Sequence, residues 1–165
     1  MATEIERRFL LKNDNWKEFI TKKIYIEQGY LSKSLDDWII RVRFTGKDSK
    51  IALKKHINGF TNFEFEYSIP RSDAETIMSN LSSTIKKERF FLEVEKKSWI
   101  IDCFKENNYP LEIAEIELSN EEEDFLLPSF ISKEITGQTH YTNFSLANNP
   151  FSEWKEDYLT TFKSN

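Results

Sequence analysis

Residues 4–10, EIERRFL, alternate charged and apolar side chains near the start of the chain. In a β-strand, residues i and i+2 point to the same face. Glu4, Glu6 and Arg8 therefore share one face of this segment, and Ile5 lies on the other. The segment predicts a strand with one charged face and one apolar face.

The same alternation recurs along the chain, in runs rich in β-branched and aromatic residues that outnumber the helical signals. These runs predict eight strands, at residues 2–11, 24–31, 38–46, 50–56, 62–69, 84–94, 98–104 and 110–118. Helix starts are predicted at Asn15, Ser72 and Ser119, each followed three positions later by a Glu, and a last amphipathic helix over 151–162. The pattern indicates one α+β domain over residues 1–165, built on an antiparallel sheet.

Composition narrows the class of protein further. The 165 residues are 39% apolar and 15% aromatic with only 4 Gly and 4 Pro, which excludes a disordered or low-complexity chain. There are 23 Lys and Arg against 28 Asp and Glu, a formal charge of −5. This balance argues against a protein that coats a polyanion with its whole surface, but it leaves a local basic site open.

Cellular location is predicted from cysteine usage and hydropathy. The single cysteine, Cys103, excludes an intramolecular disulfide, and one cysteine with two histidines argues against a Cys/His zinc site. The N-terminus lacks the apolar segment of a signal peptide, and no window approaches the roughly 18 apolar residues of a membrane span. We expect a cytoplasmic protein without a membrane or nucleic-acid partner, and a homodimer stays open.

The charged faces of the predicted strands are segregated by sign. A solvated sheet face usually mixes positive and negative side chains, because like charges two residues apart on one strand repel. For any single strand, an ordinary solvated face remains the alternative to a ligand site. Pairs of acidic side chains can coordinate hard divalent cations, and pairs of basic side chains can bind a polyphosphate. In a closed barrel the charges would line one lumen, which must be wet, with its charges paired or bound to ligand. The acids are Glu4, Glu6, Glu64, Glu66, Asp102, Glu115 and Glu117, and the bases are Arg8, Arg41, Arg43, Lys54, Lys87 and Arg89.

The stretch EIERRFL resembles the N-terminal ExExK signature of the CYTH superfamily, the triphosphate tunnel metalloenzymes. The resemblance continues in order through nearly the whole chain, over residues 28–31, 41–43, 54, 64–67, 87–89, 102, 114–118 and 133–137. It implies a closed tunnel of eight antiparallel strands with helices packed outside. It also implies a triphosphate-containing small-molecule ligand bound with Mg²⁺ or Mn²⁺.

Roles for individual residues follow from the resemblance. The signature residues Glu4, Glu6 and Arg8 are the catalytic candidates. The metal candidates are Glu4, Glu6, Glu64, Glu66, Asp102, Glu115 and Glu117. The phosphate-binding candidates are Arg8, Arg41, Arg43, Lys54, Lys87, Arg89 and, at the tunnel mouth, Lys133.

Two positions depart from the family pattern. Arg8 stands where the family typically has a Lys that is thought to help activate water, and a guanidinium stays protonated in proteins. Arg8 is therefore predicted to contact phosphate or the transition state, with a metal-bound water as nucleophile. We expect hydrolysis that is slower or shifted to higher pH. His140 lies in the segment where the family often has an Arg. It either replaces that Arg as a phosphate contact or is a solvent-facing loop histidine.

These residues predict metal-dependent hydrolysis of inorganic triphosphate or a short polyphosphate. Phosphoryl transfer needs mainly positioning and charge neutralisation, which a lumen of paired acids and bases supplies. A class IV-type adenylate cyclase or a thiamine or nucleoside triphosphatase is the alternative enzyme. A non-catalytic polyphosphate-binding module is the alternative outside enzymes.

Overall fold

A computed structural model describes residues 3–156. The strands are β1 Thr3–Leu11, β2 Ile20–Tyr30, β3 Ile39–Thr45, β4 Asp48–Asn58, β5 Thr61–Ser68, β6 Thr84–Val94, β7 Lys97–Phe104, β8 Glu112–Glu117 and β9 Ile131–Glu134. All eight predicted strands are confirmed, with ends shifted by a few residues. The short strand β9 was not predicted, because four residues carry too little alternation to stand out.

The strands form a closed antiparallel barrel, as predicted. Their order is β5-β4-β3-β2-β6-β7-β8-β1, and β1 pairs back with β5. This closing seam is short, since it joins Thr3–Ile5 to Thr61–Phe63. Beyond it, β9 pairs with the second half of β1 and lies outside the eight-stranded barrel.

The helices are short. The α-helices are α1 Arg71–Met78 and α2 Asn143–Asn148, and 3-10 helices span Asn15–Phe19, Glu106–Asn108, Thr139–Tyr141 and Phe151–Glu153. Helix α1 packs outside the barrel on β3, with Ala74 and Met78 against Val42. Among residues 3–156, no helix is both long and apolar enough to cross a membrane.

Two helix predictions need correction. The helix predicted from Ser119 is absent, because the Glu123 carboxylate accepts hydrogen bonds from the backbone N–H (2.6 Å) and hydroxyl (2.7 Å) of Ser119 and holds a turn instead. Of the helix predicted over 151–162, Phe151–Glu153 forms a 3-10 helix. Residues 157–162 of that prediction lie outside the described residues.

Apolar side chains pack in two main layers, one on each face of the barrel wall. The outer layer contains Phe9, Trp16, Trp99 and Phe130, beneath the first 3-10 helix, β9 and the segment that follows β8. Cys103 packs against this outer layer.

The second layer lies at one end of the barrel, on the inner face. Leu10 and Ile113 are paired across β1 and β8 on the face that also carries Arg8. They pack with side chains from residues 135–154, here called the C-terminal cap: Ile135, Tyr141, Leu146, Phe151 and Trp154. The cap therefore covers one end of the lumen with apolar groups.

Candidate functional site

The strand registers place the predicted charges on the lumen face. Residues directly opposite each other in an antiparallel pair point to the same side of the sheet. The pairs are Glu6 with Glu117, Arg8 with Glu115, Lys54 with Glu64, and Arg89 with Asp102. Lys54 of β4 also reaches Glu4 and Glu6 of β1, a contact that passes over the intervening strand β5.

One part of the lumen, here called the acidic cluster, consists of Glu4, Glu6, Glu64 and Glu117 around Lys54. The Lys54 ammonium donates to Glu4 and, at 3.2 Å, to Glu6. Burial raises the pKa of Glu4, and the neighbouring Glu64 raises it further. The pKa of Glu117 is raised by burial and by Glu4 and Glu6. Four carboxylates thus face the Lys54 ammonium, with Arg41 paired to Glu64 alone among them, and negative charge is in excess.

A second part, here called the charge ring, consists of Arg8, Lys87, Arg89, Asp102 and Glu115. Asp102 accepts two hydrogen bonds of 2.7 Å from Arg89 and one from Lys87. Glu115 accepts from Arg89 at 3.0 Å and from Arg8 at 3.2 Å. Burial alone would raise the pKa of Asp102, but Arg89 and Lys87 hold it well below its usual value. Three cations meet two anions here, and positive charge is in excess.

Arg41 and Arg43 lie on β3 between these two groups. Arg41 donates to Glu64 at 2.5 Å, and its Nε is buried without a hydrogen-bond partner in the part of the chain that the structure describes. Arg43 donates to Gln28 at 3.2 Å. Burial lowers the pKa of Arg43 to about 10, and repulsion from Arg41 and Arg89 adds to the effect. An unpaired buried donor costs free energy, so this region is suited to an anion with several acceptor oxygens.

The acidic cluster suits a different ligand. Its donors are carboxylate oxygens, which Mg²⁺ and Mn²⁺ prefer, and its charge is not balanced by the protein. Within residues 3–156, no three carboxylate, histidine or cysteine side chains already form a site for an ion; Lys54 contacts both Glu4 and Glu6 in this arrangement. The chemistry of the donor set therefore fits a hard divalent cation.

The other predicted metal candidates have cationic partners. Both oxygens of Asp102 and both of Glu115 accept from charge-ring cations. Glu66 accepts from Lys50 at 2.7 Å and lies 3.6 Å from Arg43. Salt bridges thus occupy these three carboxylates, while the acidic cluster is left with too few cations.

Two predicted contacts lie away from these groups. Lys133 is exposed on β9, outside the closed barrel. His140 is exposed in a 3-10 helix, with its ring 4.3 Å from that of Tyr141 and 5.1 Å from that of Trp154. Burial lowers the pKa of His140, which favours the neutral imidazole. A direct phosphate contact by either residue stays a prediction.

Sequence reasoning missed four groups that hold the charged side chains. Gln28 is buried, accepts from Arg43 and donates to the Tyr30 hydroxyl at 2.6 Å. Gln28 and Tyr30 are two residues apart on β2 and therefore share a face, and this spacing could have predicted that both lie in the lumen. The carbonyl of Tyr141 and the side chain of Asn143 also contact lumen cations, but they lie in the cap, where no strand periodicity points to the lumen.

Comparisons with known proteins cover the whole barrel. No family model matches the sequence. An inorganic triphosphatase from Acetivibrio thermocellus is 34% identical over 158 residues, which are 94% of this chain and 100% of that protein. The crystal structure of the inorganic triphosphatase NE1496 superposes with a TM-score of 0.66 at 26% identity, over 89% of this chain and 95% of that one. A Hippeastrum protein described as an adenylyl cyclase candidate with dominant triphosphatase activity shares the fold, with a TM-score of 0.56 at 14% identity over 74% of this chain and 81% of its own.

Proposed function

Since this chain belongs to the CYTH family of triphosphate tunnel metalloenzymes, we propose that it is a triphosphatase that hydrolyses inorganic triphosphate or a short polyphosphate in the lumen of its barrel. The pair of opposite charge imbalances inside one lumen supports this function most directly. Excess carboxylate next to excess guanidinium is what a polyphosphate and its counter-cation need together. The triphosphatase relatives support the same activity.

The basic side chains would bind the phosphate chain. The Arg41 Nε lacks a partner among the described residues, and Arg43 is repelled by two other guanidinium groups. Nη1 of Arg8 and of Arg89 takes part in none of the hydrogen bonds found within residues 3–156. Phosphate oxygens would satisfy these donors, and each charge-assisted bond is stronger than a neutral one.

The acidic cluster would hold the metal. We assign Glu4, Glu6, Glu64 and Glu117 as ligand candidates for Mg²⁺ or Mn²⁺, and this assignment rests on their donor chemistry and excess charge. When bound, such an ion supplies Lewis-acid polarisation of a phosphoryl oxygen and lowers the pKa of a coordinated water. Strand β1 places Glu4 and Glu6 on the same face, and Lys54 bridges them through its two hydrogen bonds.

Arg8 would stabilise charge and not accept a proton. Its guanidinium is held by Glu115 and by the Tyr141 carbonyl oxygen at 2.8 Å. A group fixed in this way and always protonated can stabilise the charge that develops on phosphoryl oxygens. This role supports the expectation of slower hydrolysis than with a Lys at this position.

Phosphate-release assays test the proposal directly. Tripolyphosphate, ATP and thiamine triphosphate are each supplied with Mg²⁺, Mn²⁺ or EDTA, and cyclic AMP is measured in the ATP arm. We expect phosphate release from tripolyphosphate with metal and none with EDTA. Arg41→Met should abolish release, whereas Arg71→Met, on the exposed helix α1 outside the barrel, should leave it unchanged. Metal-dependent binding without turnover would support the non-catalytic module instead, and cyclic AMP would support a cyclase.

A further inference from the structure

The C-terminal cap does more than close one end of the barrel. We propose that it positions the guanidinium groups of Arg8 and Arg89 for phosphate, and that Asn143 and Lys87 are positioning residues in this connection. The inference rests on the proposed function, because it concerns the same lumen. It changes the predicted role of Lys87 from a phosphate contact to a residue that acts through Asp102.

The connection begins at Asn143, the first residue of α2. Its side-chain Oδ1 accepts a hydrogen bond of 3.2 Å from the Lys87 ammonium. Lys87 also donates to Asp102, and Asp102 accepts both hydrogen bonds of the Arg89 fork. Three consecutive contacts thus join the cap to a guanidinium at the lumen.

The connection then returns to the cap. Arg89 donates to Glu115, and Glu115 accepts from the Nε of Arg8. The Nη2 of Arg8 donates to the carbonyl oxygen of Tyr141 at 2.8 Å. The path therefore starts and ends on cap residues only two positions apart. It is anchored at the Arg8 backbone as well, since the Arg8 N–H donates to the Thr136 hydroxyl at 3.0 Å.

Burial separates the positioning residues from those that can touch substrate. Lys87 and Asp102 are 0% exposed, whereas the Arg89 side chain is 14% exposed. The Lys87 ammonium lies between Asp102, Asn143 and the face of the Phe104 ring, whose centroid is 5.5 Å away. A phosphate could reach Lys87 only by displacing these groups. Lys87 thus lies behind the guanidinium groups and fixes the carboxylate that orients one of them.

Orientation matters here because phosphoryl transfer depends on placement. A displacement of about 1 Å in a binding group can cost on the order of 100-fold in rate. A planar guanidinium binds an oxyanion well only when its fork has the right angle. By fixing Asp102 and the Tyr141 carbonyl, the cap fixes the angle of both arginines.

A double-mutant cycle tests this connection. The dissociation constant of tripolyphosphate is measured by calorimetry in EDTA for the wild type, Asn143→Ala, Lys87→Met and the double variant. Asn149→Ala is the matched control, because the Asn149 side chain makes no hydrogen bond within residues 3–156. We expect about tenfold weaker binding for Asn143→Ala, no change for Asn149→Ala, and a double variant no weaker than Lys87→Met alone.

The outcomes separate the connection from simpler roles. Losses that add in the double variant would show that Lys87 acts independently of Asn143 and would overturn the proposal, as would wild-type affinity in Asn143→Ala. If Lys87→Met does not fold, the comparison of Asn143→Ala with Asn149→Ala decides alone. A wild type that binds tripolyphosphate but releases no phosphate overturns the proposed function and leaves the connection standing. A wild type that binds no tripolyphosphate in EDTA overturns the connection, and one that binds none with Mg²⁺ or Mn²⁺ either overturns both.

Discussion

The acidic cluster and the charge ring are made from the same alternating strands, yet their charges are balanced in opposite ways. In the acidic cluster, Lys54 pairs with Glu4 and Glu6 and Arg41 pairs with Glu64, which leaves carboxylates in excess, and the pKa values of Glu4 and Glu117 rise. In the charge ring, Asp102 and Glu115 are enclosed by three cations, and the pKa of Asp102 falls.

The difference distinguishes charged side chains that stabilise the fold through ion pairs from charged side chains that are left to bind a ligand. A buried carboxylate with two cationic partners is part of the folded structure, and removing it leaves those partners uncompensated. Carboxylates that repel one another destabilise the fold until a cation binds. The same residue type is therefore expected to affect stability in opposite directions in the two regions.

The largest contrast should come from Asp102. Asp102→Asn leaves Lys87 and Arg89 buried without their shared anion, so we expect a loss of about 3–5 kcal/mol of unfolding free energy. Glu117→Gln, in the acidic cluster, should cost no stability in the metal-free protein. Urea denaturation of both variants measures the contrast. Equal losses would show that the two regions do not differ in this way.

Arg8→Lys should separate stability from rate. A lysine keeps the charge but cannot bond Glu115 and the Tyr141 carbonyl with a planar fork, so we expect a loss of about 1–2 kcal/mol. A lysine can also lose its proton when its pKa falls, and the tripolyphosphate turnover number should therefore rise. Denaturation and steady-state kinetics give the two values. An unchanged or lower turnover number would contradict the role assigned to Arg8.

The smallest effect is the pH dependence of stability in the metal-free protein. The folded pKa of Asp102 is lowered, so its contribution is complete above the unfolded value of 3.8 and is lost as pH falls below it. The folded pKa of Glu4 is raised, so the folded state binds the extra proton in the window above 4.5, and stability falls as pH rises through that window.

Two variants isolate these opposite slopes. Asp102→Asn should flatten the loss at low pH, and Glu4→Gln should flatten the decline above 4.5. Unfolding free energies measured in EDTA from about pH 3 to about pH 8 give both slopes. A Glu4→Gln curve parallel to that of the wild type would show that Glu4 is not under strain from its neighbours.

The strands of the barrel could be predicted from sequence because period-two alternation determines which side chains share a face, and the family resemblance implied that the sheet closes. Residues 4–10 and 41–43 show this pattern clearly, and all eight barrel strands followed from it. The division of the lumen into two charge balances could not be predicted in this way. It depends on which strands are neighbours, as when Lys54 of β4 meets Glu6 of β1, and a sequence pattern carries no information on that pairing.

The cap was missed for a different physical reason. Its contacts use the Tyr141 carbonyl, which any residue would offer, and the Asn143 side chain in a helix of six residues. The apolar packing of Leu10 and Ile113 under the cap was not predicted, because alternation alone does not show that one end of a charged face turns apolar. The prediction of a helix at Ser119 was wrong. The Glu123 carboxylate accepts hydrogen bonds from the Ser119 backbone N–H and hydroxyl, and these bonds stabilise a turn in place of a helix.

We propose that the acidic cluster holds the metal and that the arginines hold the phosphate. Calorimetry with Mn²⁺ alone, and with tripolyphosphate in EDTA, tests it on two variants, Glu4→Gln and Arg43→Met. We predict that Glu4→Gln weakens Mn²⁺ binding about tenfold or more while tripolyphosphate binding is kept, and that Arg43→Met does the reverse. Equal weakening of both ligands by each variant would contradict the division of the lumen into a metal-binding and a phosphate-binding region.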